Sequence, residues 1–136
     1  MRVHGELGQG FLEITYQNAL AMEFESRGIP FEREVPIAIW YLGRRVGGNY
    51  RADFRTHGEL IVELKALPSL GRTEAAQLAH YLAATGSKVG LLLNFGARSL
   101  QFQRVIPRPS SVVGPDADAR NSDSPILVPK RWNGDA

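Results

Sequence analysis

Tyr50-Arg51-Ala52-Asp53-Phe54-Arg55-Thr56-His57-Gly58-Glu59-Leu60-Ile61-Val62-Glu63-Leu64-Lys65-Ala66 is the stretch on which the reading of this chain turns. Tyr50, Ala52 and Phe54 alternate with Arg51, Asp53 and Arg55, the period of a β-strand with two faces. Gly58 marks a turn. Leu60–Ala66 then predicts a second strand, with Leu60, Val62, Leu64 and Ala66 on one face and Ile61, Glu63 and Lys65 on the other. Pairing the two strands brings Asp53 beside Glu63, with Lys65 two residues further along the Glu63 face. Two carboxylates that meet at one spot repel each other unless a cation neutralises them. Mg²⁺, or Mn²⁺ in its place, is a hard ion that takes oxygen ligands and keeps several waters. Asp53 and Glu63 are therefore candidate metal ligands, and the Leu64 carbonyl is a candidate third oxygen. Lys65 is placed to orient or deprotonate an attacking water. The plainer alternative is the wetted face of an antiparallel sheet, because such short patterns arise by chance. Two features favour chemistry: Glu63 and Lys65 interrupt the otherwise apolar run LIVELKAL, and Asp53 is the only acid in its strand.

Outward from this hairpin, the apolar pattern predicts the remaining elements. Leu12, Tyr16, Leu20 and Phe24 recur every four residues and predict a helix over residues 6–27, stopped by Gly28. Val35, Ile37, Ile39 and Tyr41 alternate and predict a strand over residues 34–41, in which Pro36 argues for an edge or a strand start. Residues 43–49 read as a turn. Residues 73–85 predict a second helix, with Thr73 as N-cap and Gly86 as its stop. Residues 89–95 form a nearly continuous apolar run, suited to a strand buried on both faces. Residues 100–106 alternate as a closing strand. One helix, three strands, one helix and two strands predict an α/β architecture with a mixed central sheet flanked by helices. Composition shifts after Ile106 towards Pro, Ser, Asp and Ala, so a domain over residues 1–108 and a disordered tail over residues 109–136 are expected.

Composition narrows the function classes. A chain of 136 residues suggests one domain. It contains no cysteine, which excludes disulfides, zinc–thiolate centres and thiol nucleophiles. No apolar run approaches a bilayer span and the N-terminus has no apolar leader core, so a cytoplasmic protein without a membrane partner is expected. The formal net charge of +2 is only mildly basic. Gly5, Gly8 and Gly10 do not follow a strand, which argues against a dinucleotide fingerprint. His4, His57 and His80 show no metal-ligand spacing, and His80 is expected to be exposed. No GxSxG elbow or phosphate-binding glycine loop of the P-loop kind is present.

Further candidates flank the central motif. Glu13 lies one position from the apolar stripe of the first helix and on the side of Tyr16; alternatively it is an ordinary solvated glutamate. Gln77 and Tyr81 share a face of the second helix with Thr73, where an amide and a phenol suit phosphate oxygen or the lysine; alternatively they only pack. Arg44, Arg45, Arg51 and Arg55 gather around the hairpin, as phosphate-backbone contacts or as solvated charge.

Taken together, these segments resemble the GxxExxY group of small proteins in the PD-(D/E)XK nuclease superfamily. The naming motif stands as Gly10-Phe11-Leu12-Glu13-Ile14-Thr15-Tyr16, preceded by Val3-His4 and Leu7-Gly8. The resemblance continues through Gly28–Pro36, Arg51-Ala52-Asp53-Phe54, Ile61-Val62-Glu63-Leu64-Lys65-Ala66, Gln77-Leu78, Tyr81-Leu82 and Gly90–Gly96, and so spans residues 3 to about 106. It implies a restriction-endonuclease-like αβββαβ core and a divalent-metal site. Asp53 and Glu63 would be ligands, Lys65 the catalytic lysine, Glu13 the first-helix acid, and Gln77 and Tyr81 the supporting helix pair. Similar proteins usually carry a further helical stretch before the Val-His pair, so a shortened start is expected here. The implied function is Mg²⁺-dependent hydrolysis of phosphodiester bonds in DNA, or in RNA. The alternative is a non-catalytic nucleic-acid- or protein-binding module on the same scaffold. A homodimer is one way for so small a chain to grip a duplex.

Overall fold

The β5 strand, Leu60–Lys65, lies at the centre of a five-stranded sheet, where the alternation of its side chains supplies both layers of the core. In the computed structural model, residues 2–47 and 50–107 are described, so the expected tail at 109–136 lies outside the described residues. The elements run α1 (Arg2–Leu7), α2 (Glu13–Ser26), β1 (Phe31–Ile37), β2 (Trp40–Tyr41), β3 (Arg44–Arg45), β4 (Tyr50–Thr56), β5, α3 (Arg72–Thr85), β6 (Gly90–Asn94) and β7 (Gln101–Val105). The sheet order is β1-β4-β5-β6-β7. β5 and β6 pair in parallel, joined across α3, while the other neighbours are antiparallel. The expected αβββαβ order is present as α2-β1-β4-β5-α3-β6.

Helices cover both faces. Tyr16, Leu20 and Ala21 of α2 pack with Phe54, Val62, Leu64, Leu93 and Phe95. On the other face, Leu78, Tyr81 and Leu82 of α3 pack with Ile37, Ala52, Ile61 and Leu92. Val62 and Leu64 thus point one way and Ile61 the other, as the β5 alternation requires. Just past Lys65 the chain is pinned. Buried Asn94 accepts from Leu67 N at 2.8 Å and donates to Leu67 O at 2.9 Å. A Cβ on Gly96 would collide with the Ala66–Leu67 backbone, so only glycine fits there.

Four expectations need correction. The single helix over residues 6–27 is two helices. Gly8 (φ 69°) and Gly10 (φ 111°) adopt left-handed conformations between them, which an unbroken helix forbids. Tyr16 closes this loop: its hydroxyl donates to Gly8 O at 2.6 Å and accepts from Phe11 N at 3.2 Å, while its ring stacks on Phe95. Leu12, counted in the apolar stripe, precedes the helix and is exposed. The first strand begins at Phe31, not residue 34, and stops at Ile37. The remainder pairs with part of the segment read as a turn, as a small β2–β3 hairpin with Leu42 (φ 49°) and Gly43 (φ 77°) at its tip. Gly71, not Thr73, caps α3, its N–H donating to Glu74 at 2.7 Å; the Gly86 stop is as expected, with φ 77°. Pro36 does sit in the edge strand β1.

Candidate active site

Both ladders that flank β4 are interrupted at Asp53. β1 and β4 pair from Phe31↔Thr56 to Ile37↔Tyr50, but Glu34 and Asp53, which face each other in that register, do not pair. Glu34 has φ 53°, a left-handed twist that costs on the order of 1–3 kcal/mol and turns the strand over. Before it, Phe31 packs towards α2; after it, Val35 and Ile37 pack towards α3. β4 switches at the same level. Phe54 is buried beneath α2, whereas Ala52 is buried beneath α3. The sequence-based assignment of Ala52 and Phe54 to one face is therefore wrong, because strict alternation fails at this break.

The β4–β5 ladder stops at Phe54↔Val62. Beyond it the two carboxylates take over the backbone donors. Asp53 N donates to Glu63 Oε1 at 2.9 Å, and Leu64 N donates to Asp53 Oδ2 at 2.8 Å. In an extended strand the N–H and C=O of one residue project to the same edge. The Leu64 carbonyl accordingly faces the same gap as its N–H.

Gln17, and its partners Glu34 and Arg33, were not foreseen. This buried α2 side chain donates from Nε2 to Asp53 Oδ1 and to Glu34 Oε2, each at 2.9 Å, and so ties two acids together. Its Oε1 accepts from Arg33 at 2.6 Å, and the same Arg33 nitrogen reaches Asn18. Gln17 is four residues after Glu13, so the shared helix face was a readable signal. The conformation of Glu34 had none.

Electrostatics mark the gap as short of positive charge. Glu63 is 7 % exposed. Burial pushes its carboxyl up to about 8; repulsion from Asp53 adds to this, while the Asp53 N–H and Lys65 pull it down. The Asp53 carboxyl is also raised, first by burial and then by Glu13 and Glu34, against the lowering pull of Leu64 N and Gln17. A buried and a half-buried acid with too little cationic partner suit a hard divalent ion, which replaces a proton as the neutralising charge. The donor set fits: Glu63 Oε2 receives no hydrogen bond among the described residues, and Asp53 and the Leu64 carbonyl border the same gap. No group of three or more His, Cys, Asp or Glu able to hold a metal ion occurs among the described residues. Glu13 adds its field to both acids without joining them in such a cluster.

The other candidates are distributed as follows. Lys65 lies on the Glu63 face, its Nζ 3.5 Å from Gln77 Oε1, a long contact. Gln77, Tyr81 and Thr73 border one cleft, as their shared helix face predicts. Tyr81 is buried, with its ring 5.9 Å from that of Tyr50. Glu13 is exposed at the start of α2. Arg55 is paired with Glu32 at 2.5 Å, whereas Arg44, Arg45 and Arg51 are exposed. His80, expected to be exposed, is half-buried and borders the cleft because the β2–β3 side of the molecule covers α3 there. His4 is buried and structural, with Nε2 3.0 Å from Ala97 O.

A family model described as the PD-(D/E)XK nuclease superfamily matches residues 1–105. Among solved structures, the crystal structure of SSO0001 is similar, with a TM-score of 0.53 and 16% identity over 69% of this chain. The match covers 49% of SSO0001, so this chain spans about half the length of that protein. At this identity the likeness is one of fold. No curated protein matches the chain. The five-stranded mixed sheet flanked by helices is consistent with a restriction-endonuclease-like fold. No helix among the described residues is long and apolar enough to cross a membrane.

Proposed function

Because this chain belongs to the PD-(D/E)XK nuclease superfamily, we propose that it is a divalent-cation-dependent nuclease that hydrolyses phosphodiester bonds of DNA, or of RNA. The observation that carries the proposal is the interrupted ladder. Asp53 and Glu63 occupy a gap between β4 and β5 where backbone pairing has been given up, and Lys65 follows two residues later on the Glu63 face. Asp53, Glu63 and the Leu64 carbonyl would hold Mg²⁺ or Mn²⁺ there, and the ion would supply Lewis-acid stabilisation of the phosphate and a more acidic water.

The chain's own residues divide the remaining work. Gln17 fixes the Asp53 carboxylate by a direct hydrogen bond. Lys65 orients the attacking water or, as the neutral amine, takes its proton, and Gln77 Oε1 faces its Nζ at 3.5 Å. Glu13 adds negative charge at the rim, which strengthens cation capture. Tyr81 lines the approach beside Gln77. Exposed Arg44, Arg45 and Arg51 attract the phosphate backbone. Arg55 does so only by leaving Glu32. We further assign the chain to the GxxExxY group, whose motif Gly10–Tyr16 acquires a physical meaning here: a left-handed glycine, an acid opening α2 and a tyrosine that locks the preceding loop.

The test is incubation of the protein with single- and double-stranded DNA and RNA, with Mg²⁺, with Mn²⁺ and with chelator. Metal-dependent cleavage that Asp53→Ala and Lys65→Ala each reduce by about 10²–10⁴-fold is expected. Cleavage unchanged in both variants would overturn the assignment. Absence of metal binding with nucleic-acid binding retained would favour the non-catalytic module.

A further inference from the structure

Beside Lys65 lies a cleft of about 710 Å³ that none of the roles above uses in full. That volume falls within the roughly 300–1,000 Å³ typical of small-ligand sites. One wall is the face of α3 that carries Gln77, His80 and Tyr81. The other is formed by Tyr50 at the start of β4 and by Ile39 and Val46, where the β2–β3 hairpin joins the domain. Val46 N donates to Ile39 O at 2.9 Å, which holds the hairpin base closed against this wall.

We infer that this cleft is a nucleobase pocket, and that the nucleic acid cleaved carries an unpaired nucleotide next to the scissile phosphate. The inference rests on the nuclease reading for the position of that phosphate. Four observations support it. Tyr50 offers aromatic surface: it is 46% exposed, and its ring is braced by that of buried Tyr81, with centroids 5.9 Å apart and planes tilted by 55°. Unpaired bases are held on aromatic side chains and read by polar groups at their edges; Gln77 and His80 are such groups in the same cleft. Gln77 also contacts Lys65, so one side chain belongs to both the base cleft and the carboxylate–lysine gap. Finally, Arg44 and Arg45 directly precede the cleft-lining Val46 and are exposed, so the segment leading into the cleft carries two cations for the phosphates that flank a bound base. A base within a duplex is stacked on both sides and must leave the stack to enter such a cleft. A single strand, a frayed end or a flap enters without that cost.

The experiment measures binding by the full chain in chelator, so that no hydrolysis intervenes. The probes are a short fluorescent oligothymidylate, its duplex with oligoadenylate, an RNA strand of equal length, and a single strand containing 2-aminopurine, whose emission is quenched on stacking. Single strands should bind more tightly than duplex, with 2-aminopurine quenched. Tyr50→Ala should weaken single-strand binding about tenfold and abolish the quenching, while Tyr50→Phe should retain both. Equal binding of single strand and duplex by the natural protein, with 2-aminopurine unquenched, overturns the inference without any variant. So does a folded Tyr50→Ala protein that binds and quenches like the natural one. Tyr50-dependent quenching in a protein that hydrolyses nothing would uphold the pocket and overturn the nuclease. Metal-dependent cleavage with no Tyr50 dependence would do the reverse. The DNA and RNA strands separate the two sugar backbones.

Discussion

At the turn end of the β4–β5 hairpin, Thr56, Arg55 and Phe54 pair backbone to backbone with Leu60, Ile61 and Val62. One residue further along, the same two strands part and carboxylates fill the gap. The turn end is apolar: Phe54 is fully buried, with the rings of Phe24 and Phe31 set edge-on at 5.2 and 5.7 Å. The open end holds Asp53, Glu63 and Gln17 where a ladder would have placed amide–carbonyl pairs. Stability resides in the first region. The second gives up regular pairing and crowds like charges together, the pattern expected where a site is built for an incoming cation.

Mutations at the two ends should therefore separate. Phe54→Ala is expected to have the largest effect on stability, about 3–5 kcal/mol by denaturant unfolding, because it empties a fully buried aromatic site. The pH dependence comes next and belongs to the open end. Folding raises the Glu63 carboxyl from 4.5 to about 8, so the folded state holds this proton more tightly than the unfolded chain does. Stability of the metal-free protein should then fall as pH rises between those two values and level off above them, with Asp53 acting in the same direction. Thermal melts in chelator at pH about 6 and about 8.5 should show the lower Tm at the higher pH. Glu63→Gln should flatten the difference and stabilise the protein at the alkaline end. A Tm that rises over this interval would remove the charge-crowding half of the comparison. Gln17→Ala should cost about 1–3 kcal/mol, since it strips donors from Asp53 and Glu34 and the acceptor from Arg33. Arg55→Ala should cost under about 1 kcal/mol, because its pair with Glu32 is largely open to solvent.

The turn end was legible in the sequence and much of the open end was not, for a physical reason. Periodicity reports which residues are buried wherever the backbone is regular. Val62, Leu64 and Ile61 fell on their expected faces, the apolar run of β6 is largely buried, and Gly86 stopped α3 as read. Glu63 and Lys65 were visible because they interrupt an apolar strand. The failures cluster at backbone specials. Gly8 and Gly10 split a helix that an apolar stripe had seemed to unify, although glycine there was a signal available to read. Glu34 at φ 53° left no trace, since glutamate rarely adopts that conformation. With it went the face switch at Asp53 and the Gln17–Glu34–Arg33 network. Gln17 carried a partial signal: it shares a helix face with Glu13, but its burial shows only once Asp53 and Glu34 are seen to bond it.

Calorimetric titration of the full chain with Mn²⁺ near pH 7, in two buffers of different ionisation enthalpy, tests most directly whether the opened strands form a cation site. Glu63 holds its proton up to about 8, so binding of an ion should release about one proton. Glu63→Gln should bind more weakly and release none. Absence of binding, or binding with the same proton count in both proteins, would contradict a cation site between Asp53 and Glu63.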